Sequence, residues 1–270
     1  MPELPEVETT LRGVCPHLIG KTVKEVIVRD GRLRWPVPVE LAELMGCKVV
    51  KGARRGKYLL FTTAGGTLMI HLGMSGSLRL VDPQADWKKH DHVAFTLSSR
   101  MQLRFHDPRR FGTIQWLRGD PMLHPLLAAL GPEPLTDEFG GAVLFAGSRG
   151  KTVAVKQFIM DSHVVVGVGN IYACESLFMA GIHPAKPAGK VSRARYDRLA
   201  VAIKSVLGAS IEMGGTTLRD FLHQDGEPGY FKQTLNVYDR EGQLCRVCGT
   251  VVKRVVQGQR STFFCPKCQR

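Results

Sequence analysis

The sequence predicts an α+β protein with a β-rich N-terminal half, a helical second half and a small metal-binding C-terminal unit. Three observations predict this class. Short strand-like runs lie between residues 22 and 117, apolar residues take a helical spacing beyond residue 152, and four cysteines gather near the C-terminus. A length of 270 residues exceeds one domain of ~100–200 residues, so length alone predicts two domains.

A helix is predicted at the start of the chain. Apolar residues recur there at steps of three and four, at Leu4, Val7, Leu11 and Val14. Pro5 suits the first helical turn, where its missing N–H is not needed. Glu6 and Glu8 place negative charge near the positive end of the helix dipole. We therefore expect an amphipathic helix that begins close to the amino terminus.

The β-rich region is divided into short runs by glycine and proline. The runs rich in β-branched and aromatic residues are Thr22–Arg29, Lys57–Thr63, Thr67–Leu72, His92–Leu97, Gln102–Phe105 and Thr113–Leu117. Short strands at this spacing are typical of a sandwich or a barrel-like pair of sheets. This part of the chain is therefore predicted to form a sandwich or a barrel-like pair of sheets.

A proline-rich segment separates the two halves. Prolines concentrate between residues 117 and 152 together with a Gly140-Gly141 pair, which predicts a domain boundary there. Beyond it the apolar spacing predicts helices over Val155–Met160, Ile171–Ala180 and Tyr196–Ile211. We expect Ser192 to lie at the N-cap of the last helix.

The charge balance indicates a polyanionic partner. Thirty-seven Lys and Arg against 24 Asp and Glu give a formal net charge of +13. An excess of this size attracts polyanions, so nucleic acid is the leading partner class. On charge alone, a basic protein without a specific polyanion is the alternative. A composition of 44% apolar and 23% charged residues excludes intrinsic disorder.

The sequence gives no sign of a membrane span or of secretion. No run approaches the ~18–20 uninterrupted apolar residues of a membrane-spanning helix. The opening MPELPEVETT lacks the basic start and the apolar run of a secretion signal. We therefore expect a cytoplasmic, nucleoid-associated protein with no membrane partner.

The C-terminal cysteines have the spacing of a zinc site. Two C-x2-C pairs are separated by sixteen residues and consist of Cys245, Cys248, Cys265 and Cys268. Pairs ~15–20 residues apart are typical of tetrahedral zinc, and four thiolates leave no open position, so one structural Zn²⁺ is predicted. Two redox-active C-x2-C motifs are the alternative. The remaining cysteines are expected in the core: Cys15, Cys47 and Cys174.

The segment between the cysteine pairs is predicted to be a basic β-hairpin. Two strand-like runs flank Gln257-Gly258 and carry Lys253, Arg254 and Arg260. Four thiolates with Zn²⁺ carry −2, which lowers the formal charge from +13 to +11 and leaves the chain strongly basic. Such a finger resembles one that contacts DNA, although fingers of this type also bind proteins.

The second residue offers a nucleophile. If Met1 is removed, Pro2 carries a secondary α-amine, whose pKa of ~7.7–8.0 lies far below the ~10.4 of lysine. Glu3 and Glu6 supply two carboxylates beside it, an arrangement that suits acid–base chemistry. The alternative is ordinary helix N-terminal chemistry, which these residues alone favour.

Several motifs together resemble the bacterial formamidopyrimidine-DNA glycosylase family over essentially the whole chain. They are PELPEVE at 2–8, ARRGKY at 53–58, HLGMSG at 71–76, DPRRFG at 107–112, GVGNIYACESLF at 167–178, DGEPGYF at 225–231 and the four-cysteine finger. The PELPE opening favours the oxidised-purine branch over the endonuclease VIII branch, which acts on pyrimidine lesions.

The resemblance implies three domains and a bifunctional DNA repair enzyme. It implies a β-sandwich with flanking helices over 1–130, a helix–two-turns–helix module over 131–234 and a zinc finger over 235–270. The implied activity is excision of oxidised purines such as 8-oxoguanine and formamidopyrimidines from duplex DNA, followed by β- and δ-elimination. The damaged nucleotide is expected to be flipped out opposite cytosine, and the protein is expected to be a monomer.

The resemblance also implies roles for individual residues. Pro2 would attack C1′ of the damaged nucleotide, Glu3 would act as acid and base at the sugar, and Glu6 would support it. The implied catalytic set also contains Lys57 and Arg260, which bind phosphates next to the lesion. The further implied DNA contacts are His71, His90, Asn170 and Tyr238. From its position before a predicted helix, Asn170 is expected to be an N-cap next to a phosphate.

Three side chains match the residues that fill the gap left by an extruded base: Met74, Arg109 and Phe111. The alternatives are a buried methionine, a surface arginine and a core phenylalanine, and for Phe111 taken alone burial is favoured. Gly214–Gly229 corresponds to a flexible loop over the flipped base, or else to an ordinary surface loop. Asp161-Ser162-His163 departs from the family's common Asp-Asn-Lys or Asp-Gln-Lys, which affects the expected preference among oxidised purines.

A protein of another class is also compatible with the charge and the finger. A non-catalytic, zinc-stabilised binder of damaged DNA would use the same basic surfaces and bind with a strong salt dependence. It would not cut the strand. Strand scission therefore distinguishes the two hypotheses.

Overall fold

The computed structural model describes residues 2–217 and 235–270, without the side chains of residues 215–217. The chain forms two compact units that divide after Ala128, inside the predicted proline-rich boundary segment. Residues from Ala129 to Ser210 and the C-terminal region belong to the second unit. The division of this second part at residue 234 stays a prediction.

The first unit begins with helix α1, Leu4–Leu18. Its strands are β1 Val23–Val28, β2 Lys51–Arg55, β3 Tyr58–Thr62, β4 Thr67–His71, β5 Ser77–Val81, β6 Asp91–Leu97, β7 Gln102–His106 and β8 Thr113–Leu117. They form two four-stranded antiparallel sheets with the orders β1-β6-β7-β5 and β2-β3-β4-β8. A short helix α2, Pro125–Ala128, lies directly before the division.

One apolar core lies among α1 and both sheets. Val7 and Val14 of the helix share a buried cluster with Phe61 of one sheet and with Phe95 and Phe105 of the other. The predicted opening helix and sandwich are therefore confirmed.

The predicted core cysteines differ among themselves. Cys174 is buried, whereas Cys15 and Cys47 are half-buried at the edge of this core.

Two strands of the sandwich were not expected from the sequence. β2, KGARR, is a basic edge strand without an apolar face, so it lacks the alternation that predicts strands. β5, SLRLV, has an arginine at its centre, yet Arg79 is buried because its guanidinium pairs with the carboxylate of Asp91. The charge of Arg79 made this strand look polar in the sequence, and Asp91 neutralises that charge only in the folded sheet.

The second unit is mainly helical. Its helices are α3 Gly141–Ser148, α4 Val155–Met160, α5 Asn170–Met179 and α6 Arg193–Thr217, of which the residues from Ile211 onward are assigned to the first unit. The predicted helices are confirmed, and α6 begins directly after Ser192 but continues beyond the predicted end at Ile211. The first residues of the predicted loop Gly214–Gly229 therefore end this helix. The rest of that loop lies outside the described residues.

The C-terminal region forms the predicted hairpin. Strand β9, Lys253–Gln257, pairs antiparallel with β10, Arg260–Phe264. The two turn residues Gly258 and Gln259 have φ of +52° and +61°, as a tight two-residue hairpin turn requires. Of the described helices, none combines the length and the apolar character needed to cross a bilayer.

Candidate active site and nucleic-acid interface

The amino terminus leads directly into helix α1. Glu3 is the N-cap residue and is 2% exposed, while Pro2 is half-buried. The Glu3 backbone N–H donates to Glu6 Oε2 at 2.7 Å, and the Glu3 carboxylate accepts the Glu6 backbone N–H, which is a capping box. These contacts confirm the helix-end interpretation. They also hold a buried carboxylate at the residue that follows Pro2.

Lys57 lies at the tip of the β2–β3 hairpin, after Gly56 with its left-handed φ of +57°. Arg54 anchors this hairpin to helix α1. Its Nε lies 2.8 Å from Glu8 Oε2, and its Nη1 donates to the Gly56 carbonyl at 2.9 Å. Burial raises the pKa of Glu8, but hydrogen bonds from Arg54 and Arg12 outweigh burial and lower it. The lysine is thus carried on a turn tied to the first helix.

His71 ends strand β4, and its ring packs against Tyr58 with centroids 4.7 Å apart. Burial, with the positive charges of Lys57 and Arg34, lowers the pKa of His71 to about 4. The imidazole is therefore neutral at pH 7. Its Nδ1 accepts the Gly73 backbone N–H at 3.0 Å, so the ring proton resides on Nε2. His71 can therefore donate a hydrogen bond to an anion without carrying charge.

The predicted gap-filling side chains are exposed, and the two loops that carry them touch each other. Met74 is 38% exposed and Phe111 is 42% exposed, so the alternatives of a buried methionine and a core phenylalanine are wrong. The Arg109 guanidinium lies over the Phe111 ring, 5.0 Å from its centroid. The Met74 loop touches the Phe111 loop at Gly73, where a Cβ would come within 2.6 Å of the Phe111 carbonyl oxygen. Only glycine fits this contact.

A strained residue turns the chain between Arg109 and Phe111. Arg110 has φ of +58°, which is rare for a residue with a Cβ. Its Nη2 lies 2.6 Å from Asp30 Oδ2, and its Nη1 donates to the Arg32 carbonyl at 3.2 Å. Hydrogen bonds from Arg32 and Arg110 hold the pKa of Asp30 far below its usual range. The turn presents Arg109 and Phe111 on neighbouring exposed positions.

His90 follows a loop that a buried arginine holds in place. Arg104 is fully buried and donates to the carbonyls of Pro83, Ala85 and Asp86. The Arg104 guanidinium also lies over the Trp87 ring of this loop, 4.1 Å from the ring centroid. His90 itself is half-buried, and its pKa is lowered by burial and by the neighbouring positive groups.

Asn170 is not the N-cap residue that the sequence predicts. Gly169 occupies that position with an extended backbone, and Asn170 is the first residue of α5. The reason is that its side chain is used for a tertiary contact. Its Nδ2 donates to the Ser261 carbonyl of β10 at 2.9 Å, while its Oδ1 accepts from Lys156. Asn170 therefore links the helix to the strand that begins with Arg260.

Lys156, which the sequence did not single out, completes this link. It is 1% exposed, and its Nζ donates to Thr262 Oγ1 at 2.7 Å as well as to Asn170 Oδ1. A buried ammonium is costly unless several acceptors surround it. The lysine side chain thus joins helices α4 and α5 to the hairpin and fixes the strand next to the exposed Arg260.

Glu175 is a second buried charge that sequence analysis missed. Its carboxylate is 3% exposed and accepts the backbone N–H groups of Asn236, Val237 and Tyr238, each at 2.9 Å. The Tyr238 ring packs edge-on against Phe263, with centroids 5.1 Å apart. The segment that carries Tyr238 is thereby attached to both α5 and the hairpin.

The four C-terminal cysteines fit a zinc ion. Their sulfurs all lie within 4.8 Å of one another. Tetrahedral zinc with bonds of ~2.3 Å requires sulfurs about 3.8 Å apart. The Cys245 and Cys268 sulfurs are 3.9 Å apart, and those of Cys248 and Cys265 are 3.4 Å apart. Hydrogen bonds from Thr250 lower the pKa of Cys248 to about 6, whereas burial raises the pKa of Cys265 and, together with the neighbouring cysteines, that of Cys268.

Comparisons with known families agree with this architecture. The model of the formamidopyrimidine-DNA glycosylase N-terminal domain matches residues 1–114, and that of the glycosylase H2TH domain matches residues 130–222. The model of the zinc finger found in FPG and IleRS matches residues 242–270. Fold, cysteine site and matches together define a DNA glycosylase with one structural zinc ion.

Individual relatives align over the full chain. Formamidopyrimidine-DNA glycosylases from Methylococcus capsulatus and Alcanivorax borkumensis are 59% and 60% identical, each covering 100% of both chains. The solved MutM (Fpg) protein of Thermus thermophilus is 41% identical, with a TM-score of 0.85 over 99% of this chain and 98% of that chain. Lactococcus lactis Fpg bound to DNA with an abasic site is 32% identical, with a TM-score of 0.90 over 99% of both. The chain belongs to the formamidopyrimidine-DNA glycosylase family.

Proposed function

We propose that this glycosylase excises oxidised purines from duplex DNA and then cleaves the strand at the resulting abasic site, with Pro2 as nucleophile. The observation that carries the proposal is the capping box, which holds buried Glu3 beside Pro2 at the start of α1. Solved complexes of the relative from Lactococcus lactis contain Fapy-dG or an abasic site. These lesions support the proposed substrate class.

The proposed reaction forms one covalent intermediate. The Pro2 nitrogen forms a bond to C1′ while the glycosidic bond breaks and the damaged base leaves. The Pro2 nitrogen then loses its proton, and its lone pair forms an iminium as the C1′–O4′ bond breaks and O4′ takes up a proton. The positive charge of this iminium draws electrons from the opened sugar. Loss of the C2′ proton expels the 3′ phosphate, and a second elimination expels the 5′ phosphate. Glu3 is proposed to move protons at the sugar, with Glu6 fixing the backbone beside it.

The exposed trio is proposed to fill the space that the damaged nucleotide leaves. Extrusion of a base costs a few kcal/mol of stacking and pairing, and inserted side chains offset that cost. Met74 and Phe111 offer apolar surface, and Arg109 offers hydrogen-bond donors toward the cytosine that has lost its partner. Their exposure in the structure supports this role, because none of them is committed to the core.

Phosphate contacts are proposed on both compact units. In the first unit they come from the cation Lys57, the neutral donor His71 and the half-buried His90. In the second unit they come from Arg260, the Nδ2 group of Asn170 and Tyr238, all held around the finger.

We further propose a three-domain division at residues 130 and 234, action as a monomer, and a location at the bacterial nucleoid, where the substrate is found.

Borohydride trapping tests the proposed nucleophile. Reduction during turnover on an 8-oxoguanine:cytosine duplex is expected to crosslink the protein to DNA through Pro2. Pro2→Gly replaces the secondary amine with a primary α-amine and is expected to slow base excision, with any remaining crosslink still at residue 2 and the melting temperature unchanged. Intact mass must first show that Met1 is absent, because an amide at Pro2 would abolish the amine. Full strand cleavage by Pro2→Gly, with the crosslink moved to a lysine, would disprove the assignment.

The same experiment separates the enzyme from a non-catalytic binder of damaged DNA. A binder would retard lesion-containing duplex but give neither a crosslink nor a cut strand. Thymine glycol in the same duplex is the matched comparison for the pyrimidine-lesion alternative. Single-turnover excision of 8-oxoguanine is expected to be faster than excision of thymine glycol.

A further inference from the structure

The two loops that carry Met74, Arg109 and Phe111 are joined by one buried carboxylate. Asp107 is fully buried directly after strand β7. Its Oδ1 accepts the hydroxyl of Ser75 at 2.8 Å, and its Oδ2 accepts the backbone N–H of Gly112 at 2.8 Å. One side chain thus bonds to a residue adjacent to Met74 and to a residue adjacent to Phe111.

The third exposed residue is bonded to the same group. The Arg109 backbone N–H lies 3.3 Å from both Asp107 Oδ1 and Ser75 Oγ. Little space is left for adjustment around these bonds, since a Cβ at Gly112 would lie 3.0 Å from Asp107 Oδ2 and closer still to the Phe105 ring. The backbone segments that carry the three exposed side chains are therefore held by contacts that converge on Asp107.

The backbone of Asp107 is fixed as well. Its N–H donates to the His90 carbonyl at 3.0 Å, and its carbonyl is 2.8 Å from His92 Nε2. The backbone of Asp107 thus joins the end of strand β7 to His90, just before strand β6, and to His92 within β6, and the two exposed loops are bonded to its carboxylate. Asp107 is the residue through which the sheet holds both loops.

We propose that Asp107 is a positioning residue that fixes Met74, Arg109 and Phe111 for insertion into the duplex and so controls base extrusion. The inference rests on the proposed role of these three residues. Asp107 acts by accepting hydrogen bonds. An asparagine can keep its oxygen on the Gly112 N–H and donate its amide to Ser75, whose hydroxyl reverses direction, while the Arg109 N–H keeps Ser75 Oγ as its acceptor. An alanine has no side-chain acceptor, so the Ser75 hydroxyl and the N–H groups of Arg109 and Gly112 each lose their hydrogen bond to residue 107.

The test compares two substrates with the full-length, zinc-loaded protein. Excision of 8-oxoguanine from a duplex requires extrusion and gap filling, whereas cleavage of a preformed abasic site in single-stranded DNA requires neither. Under single turnover, Asp107→Ala is expected to slow duplex excision by about tenfold or more and single-strand cleavage by less than about twofold. Asp107→Asn is expected to restore duplex excision to within about twofold of the unsubstituted protein.

Asp82→Ala is the matched control, because Asp82 also accepts a backbone N–H, from Gln84 at 2.8 Å, but is exposed. Asp82→Ala is expected to change neither the rate of duplex excision nor the rate of single-strand cleavage. If Asp107→Ala does not fold, Ser75→Ala carries the test, with duplex excision expected to slow by about threefold and single-strand cleavage to stay unchanged.

Three outcomes would overturn the inference. Duplex excision by Asp107→Ala at the unsubstituted rate, an equal loss on both substrates, or an Asp107→Asn protein as slow as Asp107→Ala would each do so. The last result would mean that charge, not hydrogen-bond acceptance, is required. Failure of the proposed function is recognised separately, because the unsubstituted protein would then excise no 8-oxoguanine.

Discussion

Two neighbouring residues, Lys57 and His71, show how the same kind of ligand can be bound by different physical means. Lys57 is a cation at a turn, and its charge helps to lower the pKa of His71 to about 4. The imidazole therefore stays neutral, with its Nδ1 occupied by the Gly73 N–H. A phosphate bound at both residues would gain an ion pair from one and only a hydrogen bond from the other.

Salt dependence distinguishes these two contributions. Lys57→Met is expected to reduce the slope of log K against log salt by about 0.9, because one fewer counterion is released on binding to duplex DNA. His71→Gln is expected to weaken binding at every salt concentration without changing that slope. Fluorescence anisotropy on an abasic-site duplex, across a series of salt concentrations, measures both. An equal change of slope in the two variants would show that His71 binds as a cation.

The structural surroundings of a residue can be predicted from the sequence where its contacts are local. Glu3 and Glu6 were expected to take part in ordinary helix N-terminal chemistry, and they form a capping box three residues apart. Lys156 and Glu175 could not be found this way, because their partners Thr262 and Val237 lie 106 and 62 residues further along the chain. Asn170 was misassigned for the same reason, since a distant carbonyl competes for its amide.

At the scale of elements, helix α5 holds the segment 236–238 through a single carboxylate. Glu175→Gln replaces one acceptor oxygen with a donor that faces backbone N–H groups. Because hydrogen bonds to charged groups contribute ~1.5–3 kcal/mol, the free energy of unfolding is expected to fall by about 2 kcal/mol. Urea denaturation measures it. The exposed Glu212→Gln on helix α6 is the control, and an equally small effect of both variants would contradict this interpretation.

Affinity for DNA should fall together with stability in Glu175→Gln. The substitution releases Tyr238, which is held by its own N–H on Glu175 Oε1 and by the Phe263 ring.

Elements with regular apolar spacing, such as α1, α6 and the inner strands, could be predicted from the sequence. Strand β2 could not, because an edge strand of basic residues has no apolar face to reveal it.

At the scale of the whole molecule, one metal ion supports a large part of the second unit. The finger holds Arg260 on β10, and the same strand carries the groups that bind Asn170 and Lys156. When bound, the ion supplies no chemistry to the reaction, since four thiolates fill its coordination. Its effect on function is therefore entirely through the position of these side chains.

Removal of zinc is expected to abolish lesion binding before it unfolds the first unit. A strong chelator should lower duplex affinity by at least ~10-fold, and calorimetry should show loss of one unfolding step while the sandwich still melts cooperatively. Re-addition of Zn²⁺ should restore both properties. Full affinity of metal-free protein, verified by elemental analysis, would show that the finger needs no metal.

The three-way junction of Lys156, Asn170 and the Ser261 carbonyl has an evolutionary consequence. Lys156 is buried and Asn170 is half-buried, and each satisfies a polar group of another partner, so a lone substitution leaves a donor or an acceptor without its partner. Lineages that lose the lysine should thus also have replaced the asparagine or remodelled the hairpin. Co-variation of positions 156 and 170 among descendants of a common ancestor would be the historical trace of this constraint.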